Sequence, residues 1–312
     1  MQHYRSLEEV TLPNSWVTVG VFDGVHRGHQ KIIERLAAGA HANGVPAVVL
    51  TFDPHPAKVL GRGMIKLLTL PGERAKLLGA MGVDVIVTHP FDMEVANTTA
   101  LDFMKRLRTQ LGLAHLVLGY DAALGKNREG NAARLAEIGT ELGYTVEIVS
   151  ALSDESGVIS STEIRKLVTL GNVTEAARLL GHPYRLQGLV AHGDHRGRTI
   201  GFPTANLNYV RDKVIPAGGI YACRAWVHDG LHNDRYMAAV NIGTNPTFTP
   251  DKQTLNVEAY LLDFHKEDIY DETVTLEFVQ RLRDELKYDS VQALVEQIGR
   301  DVTQTRELLG TA

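Results

Sequence analysis

Short continuous apolar runs recur through the first half of the chain, each separated from the next by a stretch with helical spacing. They are WVTVGVF (16–22), PAVVLTF (46–52), DVIVTH (84–89), AHLVLG (114–119) and YTVEIV (144–149). Runs without polar alternation belong to strands buried on both faces, the pattern of a parallel sheet. Between them Ile32, Ile33, Leu36 and Ala40 recur at helical spacing, as do Leu101, Met104, Leu107 and Leu111 behind Asn97 and Thr98 as caps. The pattern predicts a doubly wound α/β domain with a parallel sheet, whose ligands sit at the carboxyl ends of the strands. The segment TVGVFDGVHRGHQ (18–30) leaves the first strand at such an end.

Past residue 182 the texture changes. GHPYRLQG breaks the helical spacing, and the chain beyond it is rich in glycine, β-branched residues and period-2 alternation. This places a boundary at 182–187, with one domain over 1–182 and a second over 187–312. RLQGLVAHG, GIYACRAWVH, YMAAVNIG, LNVEAYLLDF and ETVTLEFVQRLR read as strands, separated by turns such as PAGG (216–219) and TNPTFTPD (244–251). Several short strands of this kind predict an all-β unit, a small barrel. An amphipathic C-terminal helix closes the chain, with Val291, Leu294, Val295, Ile298 and Val302 on one face after Asp289 or Ser290 as cap. No internal repeat or low-complexity tract interrupts this order.

Composition narrows the functional classes. The 312 residues are 44% hydrophobic and 22% charged, with a net charge of −5, so the chain is globular and does not carry the basic surface of a nucleic-acid binder. Anionic substrates must be met locally. The single cysteine, Cys223, excludes an internal disulfide and a C-x-x-C metal knuckle. No uncharged apolar run approaches the roughly 18 to 20 residues that span a bilayer, and MQHYRSLEEV lacks the apolar core of a signal peptide, so a cytoplasmic protein without a membrane partner is expected.

Three stretches of the first half carry chemistry. Residues 18–30 match neither G-x-G-x-x-G nor a P-loop. They deliver His26 and His29 three positions apart at a helix start, where free N–H groups and about half a positive charge already favour an anion. Two imidazoles there complete a phosphate site or, alternatively, simply cap the helix; Gly24 and Gly28 permit close backbone approach. In ISSTEIRKL (159–167), Ser160 and Glu163 fit a capping box, and Arg165 on the first turn makes the same element a receptor for the β- and γ-phosphates of a nucleotide. In TFDPHP (51–56), Pro54 and Pro56 stiffen a loop that holds Asp53 and His55, which alone is only a rigid loop.

The second half carries HGDHRGRTIGFPTANL (192–207). Gly193, Gly197 and Gly201 permit a tight backbone whose amides face phosphates, while Thr204 and Asn206, behind Pro203, offer neutral oxygens suited to a magnesium–nucleotide complex. In NVEAYLLDF (256–264), Val257, Ala259 and Leu261 alternate with Glu258, Tyr260 and Leu262. A lone strand glutamate is ordinarily just solvated.

Taken in order, GVFDGV followed by H-R-G-H, then TFDPHP and ISSTEIR over about 140 residues resemble the adenylyltransferase module of prokaryotic bifunctional riboflavin kinase/FAD synthetases. PTAN, preceded by G-x-V-x-H-G, resembles the riboflavin kinase signature, and AVNIGTNPTF (239–248) and RLRDELKYDS (281–290) also match segments of that family. The resemblance implies a nucleotidylyltransferase domain followed by a riboflavin-kinase-like barrel. It implies phosphorylation of riboflavin to FMN and adenylylation of FMN to FAD, with ATP and Mg²⁺ in both steps, and riboflavin, FMN and ATP as small-molecule partners with no nucleic acid. By this likeness His26 and His29 bind ATP phosphates, Ser161, Thr162 and Arg165 hold the triphosphate, and Gly20, Phe22, Asp23, Gly24, Gly28, Asp53, His55 and Asp121 border the substrates. In the kinase, Glu258 is the general base for the 5'-hydroxyl, Thr204 and Asn206 meet the metal, Gly193, Gly197, Gly201 and Pro203 form the phosphate loop, and Arg283 borders the flavin.

One loop departs from the family pattern. GYDAALGKNREG (119–130) has Ala122 and Leu124 where the family usually carries two phenylalanines. An aromatic contact contributes about 0.5 to 1.5 kcal/mol beyond its area, so two losses weaken FMN binding by roughly one to two orders of magnitude unless something replaces them. Beside the bifunctional reading therefore stand a riboflavin kinase with a weak or altered adenylyltransferase domain, and a flavin-binding regulator without turnover, against which PTAN, Glu258 and H-x-G-H argue.

Overall fold

The protein is described from a computed structural model covering residues 1–154, 157–191, 200–228, 233–244, 255–265 and 269–310. By packing, the chain divides into two compact units, Met1–Ser161 and Thr162–Ala312.

In the first unit the order is β1 (Gln2–Tyr4), β2 (Ser15–Val19), α1 (Arg27–Ala42), β3 (Ala47–Asp53), α2 (Pro56–Val59), α3 (Pro71–Ala80), β4 (Val85–Pro90), α4 (Met93–Asn97), α5 (Ala100–Leu111), β5 (Leu113–Gly119), α6 (Ala132–Leu142) and β6 (Thr145–Val149), followed by a small antiparallel pair, β7 (Ser153–Asp154) and β8 (Gly157–Val158). The six main strands form one parallel sheet in the order β1-β4-β3-β2-β5-β6. Alternate residues of a strand point to opposite faces. Val48, Leu50 and Phe52 therefore enter one core with Leu107 and Leu116, while Ala47 and Val49 enter another with Ile33 and Leu36. This two-sided burial produces the continuous apolar runs of the sequence. The chain turns from the β3–β4 side of the sheet to the β5–β6 side at β2, so the carboxyl end of β2 opens onto a topological switch point.

Several details differ from the expected pattern. β1 adds at the outer edge beside β4, although three residues, QHY, are too short and polar to announce a strand. β6 lies at the opposite edge and buries only Val149 fully, because an edge strand lacks a neighbour on one side. The α5 cap is Thr99, whose Oγ1 accepts the Asp102 N–H at 3.1 Å, rather than Asn97 or Thr98.

The second unit carries α7 (Ser161–Thr169), which begins at the last residue of the first unit, then α8 (Val173–Leu180) and six antiparallel strands. These are β9 (Tyr184–Ala191), β10 (Ala205–Tyr209), β11 (Gly219–His228), β12 (Asn233–Thr244), β13 (Leu255–Leu261) and β14 (Thr273–Arg283), closed into a barrel in the order β10-β13-β12-β11-β14-β9. Inward residues such as Val257, Ala259 and Leu261 are buried, as alternation predicts; Leu262 is buried as well, beyond the end of its strand. β10 lies within the stretch expected to be a glycine-rich loop, and it pairs with both β9 and β13 to close the ring. The C-terminal helix, Val291–Gly310, is capped by Ser290, whose Oγ accepts the Ala293 N–H at 3.1 Å. Val291 is exposed, whereas Leu294, Val295, Ile298 and Val302 are partly buried.

Candidate active sites

The turn after β2 is held in backbone conformations that side chains rarely adopt. Phe22 and Val25 have φ of 51° and 44°, with Gly24 at 83° between them. A β-branched residue at positive φ is strained, and such strain persists only where the surroundings fix it. Asp23 does much of the fixing. Its buried carboxylate accepts from Leu68 N–H (3.1 Å), Thr69 N–H (2.9 Å) and Thr69 Oγ1 (3.2 Å), and the Thr69 hydroxyl in turn accepts from Gly24 N–H (2.9 Å). Ser161 Oγ donates to the Asp23 carbonyl at 2.8 Å. Thr69 is thus a functional neighbour that the motifs do not reveal.

His26 and His29 come together but in different roles. His26 is the N-cap of α1, its Nδ1 accepting the His29 N–H at 3.3 Å. The two rings stack with centroids 3.6 Å apart, and Phe22 stands edge-on to His29 at 5.2 Å. His29 Nδ1 is buried and has no partner among the described residues. Burial, the neighbouring His26 and the Arg74 cation together hold the His29 pKa well below its ordinary value, so the ring is neutral near pH 7.

A cavity of about 540 Å³ opens beside this turn. Gly20, Phe22, His29 and Asp121 line it, as do Ala122 and Leu124. Ala122 and Leu124 also pack against the core behind them, and the loop is pinned by the Leu124–Gly130 backbone bridge. Phe52, Phe91 and Phe103 line the same cavity, Phe52 and Phe91 meeting edge to face at 5.3 Å. Asp23, Gly24, His26 and Gly28 form the turn beside it and are not part of its wall. Asp53 is exposed and His55 caps α2, its Nδ1 accepting the Ala57 N–H at 3.1 Å; neither lines the cavity. Thr162 and Arg165 follow Ser161 on α7.

The second candidate site lies on the outer face of the barrel. Glu258, at the middle of β13, stands directly opposite Asn206 of β10 and Asn241 of β12. Residues paired across adjacent strands share a face, so three polar side chains form one row. A cavity of about 320 Å³ lined by Thr204, Glu258 and Asn241 extends from this row to Leu294 and Ile298 of the C-terminal helix. Phe202 and Tyr260 meet edge to face at 5.2 Å within it. Arg283 also lines the cavity and is held by the buried Asp301 through two bonds, Nε to Oδ1 at 2.9 Å and Nη2 to Oδ2 at 2.6 Å. That fork raises the Arg283 pKa further. Gly201 has a φ of 85° and Pro203 is exposed, while Gly193 and Gly197 lie outside the described residues. Asn241 belongs to the AVNIGTNPTF segment, to which the sequence assigned no site role.

No group of three or more His, Cys, Asp or Glu side chains among the described residues could hold a metal ion. The neutral oxygens of Thr204 and Asn206 with one nearby carboxylate instead fit magnesium shared with a nucleotide, a cation that keeps most of its ligands from water and phosphate.

Comparison with known proteins gives a family match for each half of the chain. Residues 9–163 match the family model of FAD synthetase and residues 180–309 that of riboflavin kinase. The chain is similar to the bifunctional riboflavin kinase/FMN adenylyltransferase of Listeria monocytogenes, at 39% identity over 98% of this chain and 96% of that one. Its counterparts in Bacillus subtilis (35% identity, 96% and 94% coverage) and Escherichia coli K12 (34%, 94% and 92%) carry the same name. A crystal structure from Streptococcus pneumoniae described as a macrolide-efflux protein is similar at 34% identity, a TM-score of 0.86 and coverage of 97% and 98%. No described helix of this chain is long and apolar enough to cross a membrane.

Proposed function

Because the chain belongs to the family of bifunctional riboflavin kinase/FMN adenylyltransferases, we propose that its two cavities carry the two reactions separately. The protein is an enzyme of flavin cofactor synthesis acting on riboflavin, FMN and ATP, at work in the cytoplasm. Residues 1–182 serve adenylyltransfer and residues 187–312 serve the kinase. The observation that carries this reading is that each family's motif reaches its own cavity: His29 lines one, and Thr204 with Glu258 the other.

In the barrel, Glu258 takes the proton of the riboflavin 5'-hydroxyl as that oxygen attacks the γ-phosphorus of ATP, and ADP leaves. A carboxylate within hydrogen-bond reach of an alcohol suits this task. Asn206 and Asn241 flank Glu258 in register and orient it. Thr204 and Asn206 would hold magnesium, which when bound supplies charge screening for the transferring phosphoryl group. Gly193, Gly197, Gly201 and Pro203 shape the loop over the phosphates, and Arg283, fixed by Asp301, borders the flavin ring.

In the α/β unit, an oxygen of the FMN phosphate attacks the α-phosphorus of ATP and pyrophosphate departs, with no covalent enzyme intermediate. Catalysis is then positioning and charge stabilisation. His29 acts as a neutral hydrogen-bond donor, since its buried setting disfavours the imidazolium. His26 fixes the helix start from which His29 projects. Ser161, Thr162 and Arg165 grip the triphosphate, while Gly20, Phe22, Asp23, Gly24 and Gly28 keep the backbone close to it. Asp121, Asp53 and His55 border the substrates, and Phe52, Phe91 and Phe103 supply the aromatic wall that Ala122 and Leu124 do not.

The test is a product assay with two starting materials. Riboflavin with ATP and Mg²⁺ is expected to give FMN and then FAD, and FMN with ATP and Mg²⁺ to give FAD and pyrophosphate. Formation of FMN without FAD from either start would overturn the adenylyltransferase assignment.

A further inference from the structure

α3 carries a fully buried cation that no motif announces. Arg74 is 1% exposed, its Nη2 donates to the Phe52 carbonyl at 3.0 Å, and its Nε has no partner among the described residues. We propose that Arg74 is a positioning residue for adenylyltransfer: a buried guanidinium that holds the end of β3 at the cavity wall and lends its charge to the anionic groups gathering at the carboxyl ends of the strands. The proposal rests on the reading that this unit transfers AMP to FMN.

The argument begins with compensation. A guanidinium taken out of water needs an opposite charge and a full set of acceptors. Asp23 and Asp53 both act on Arg74, but burial outweighs them and its pKa is lowered on balance. Asp23 gives its oxygens to Leu68 and Thr69, and Asp53 is exposed. Among the described residues the guanidinium meets one acceptor, the Phe52 carbonyl, and its Nε meets none. A fold built only for stability would place an apolar side chain here. A site that receives a triphosphate and a flavin phosphate supplies the missing negative charge whenever substrate binds.

Location supports the same conclusion. The Phe52 carbonyl that Arg74 holds belongs to a residue lining the cavity, one position before Asp53 and three before His55. Arg74 also acts on His29, the cavity's histidine, and on His3 of β1, lowering the pKa of each. The charged and titratable groups that act on His29 are His26 at its own helix start and Arg74 from α3, while Asp121, Arg62 and Arg128 line the same cavity. Arg74 is the buried cation of that set, and its field favours a neutral His29 that donates one hydrogen bond while leaving room for substrate charge.

The experiment compares Arg74→Met, which keeps the length and removes the charge, with Arg74→Lys, which keeps the charge and removes the planar fork. FAD formation from FMN and ATP is followed against pH in the full chain, with FMN formation from riboflavin as an independent activity and the His29 ring titrated by NMR. In Arg74→Met the acidic limb of FAD formation is expected to move upward by about one pH unit together with the His29 titration, while FMN formation stays unchanged. Arg74→Lys is expected to keep the wild-type limb. A limb and titration unmoved in Arg74→Met, or a loss equal at every pH, overturns the proposal. Should Arg74→Met leave the first unit unfolded, Arg74→Gln takes its place: a limb raised together with the His29 titration supports the role of charge and an unmoved limb overturns it. A wild-type protein that makes no FAD at any pH removes the adenylyltransferase reading instead, and the His29 titration still reports whether Arg74 acts on that ring.

Discussion

His26 accepts the backbone N–H of His29 through its own Nδ1, at 3.3 Å, while the two rings lie stacked 3.6 Å apart. The two histidines of the motif therefore do different work: one builds the helix start and the other lines the cavity. Substitution separates the roles. His26→Asn keeps a capping acceptor, and His26→Ala loses it at about 1 kcal/mol of stability. His29→Ala is expected to reduce FAD formation by roughly a hundredfold or more, the usual effect of deleting one transition-state donor, without changing riboflavin phosphorylation. Steady-state rates for both reactions check this. Equal loss of both reactions in His29→Ala would show misfolding instead of a missing donor.

Acid stability follows from the same burial. His29 has a folded pKa well below 6.5, and His89, nearly buried with its Nδ1 accepting the Leu7 N–H at 3.3 Å, is lowered as well. Unfolding returns each ring to its ordinary value, so below about pH 6.5 the unfolded chain binds more protons than the folded one. Stability is therefore complete above that pH and falls as the pH drops toward the folded values. Thermal unfolding of the first unit at pH 7.5 and 5.5 is expected to show a lower transition at 5.5, and His89→Asn to flatten the dependence. A transition independent of pH in this range contradicts the assignment of two neutral buried rings.

Much of this architecture is legible in the sequence because a strand buried on both faces has no choice but to be apolar throughout. The five runs of the first half land on five of the six main strands for that reason. β10 escapes the same logic. Ala205–Tyr209 reads as part of a glycine-rich loop, and only pairing with β9 and β13 makes it a strand, an influence from distant residues that local pattern does not record. The sites divide similarly. His29 and Thr204 stand out by motif and Glu258 by the family resemblance, whereas Arg74 and Phe91 depend on which elements the fold brings beside them. Asp23, expected among the substrate contacts, is a buried clasp for Leu68 and Thr69, which its spacing in GVFDGV could not reveal.

The row Asn206–Glu258–Asn241 gives a sharper test of the kinase. Glu258→Gln keeps the size of the side chain and its place between the two asparagines but removes the base. FMN formation from riboflavin is expected to fall by about a hundredfold or more, in the range of general-base contributions. FAD formation from supplied FMN is expected to continue at the wild-type rate, since the other unit has its own cavity. Retention of kinase activity in this variant would move the base elsewhere.

The altered loop sets the last expectation. Ala122 and Leu124 line the first cavity, yet both also pack against the core, and the Leu124–Gly130 bridge fixes their backbone. The same cavity has Phe52, Phe91 and Phe103. If these rings leave unfilled space beside Ala122, then Ala122→Phe adds an aromatic contact of about 0.5 to 1.5 kcal/mol and lowers the FMN Michaelis constant by up to roughly tenfold. Leu124→Phe replaces a side chain that already fills its place against the core, so its gain in FMN affinity is expected to be smaller and accompanied by a loss of stability of about 1 to 3 kcal/mol from overpacking. Michaelis constants for FMN with denaturation of each variant distinguish the two positions. A raised FMN constant in Ala122→Phe would mean that the existing phenylalanines already close the pocket against an added ring.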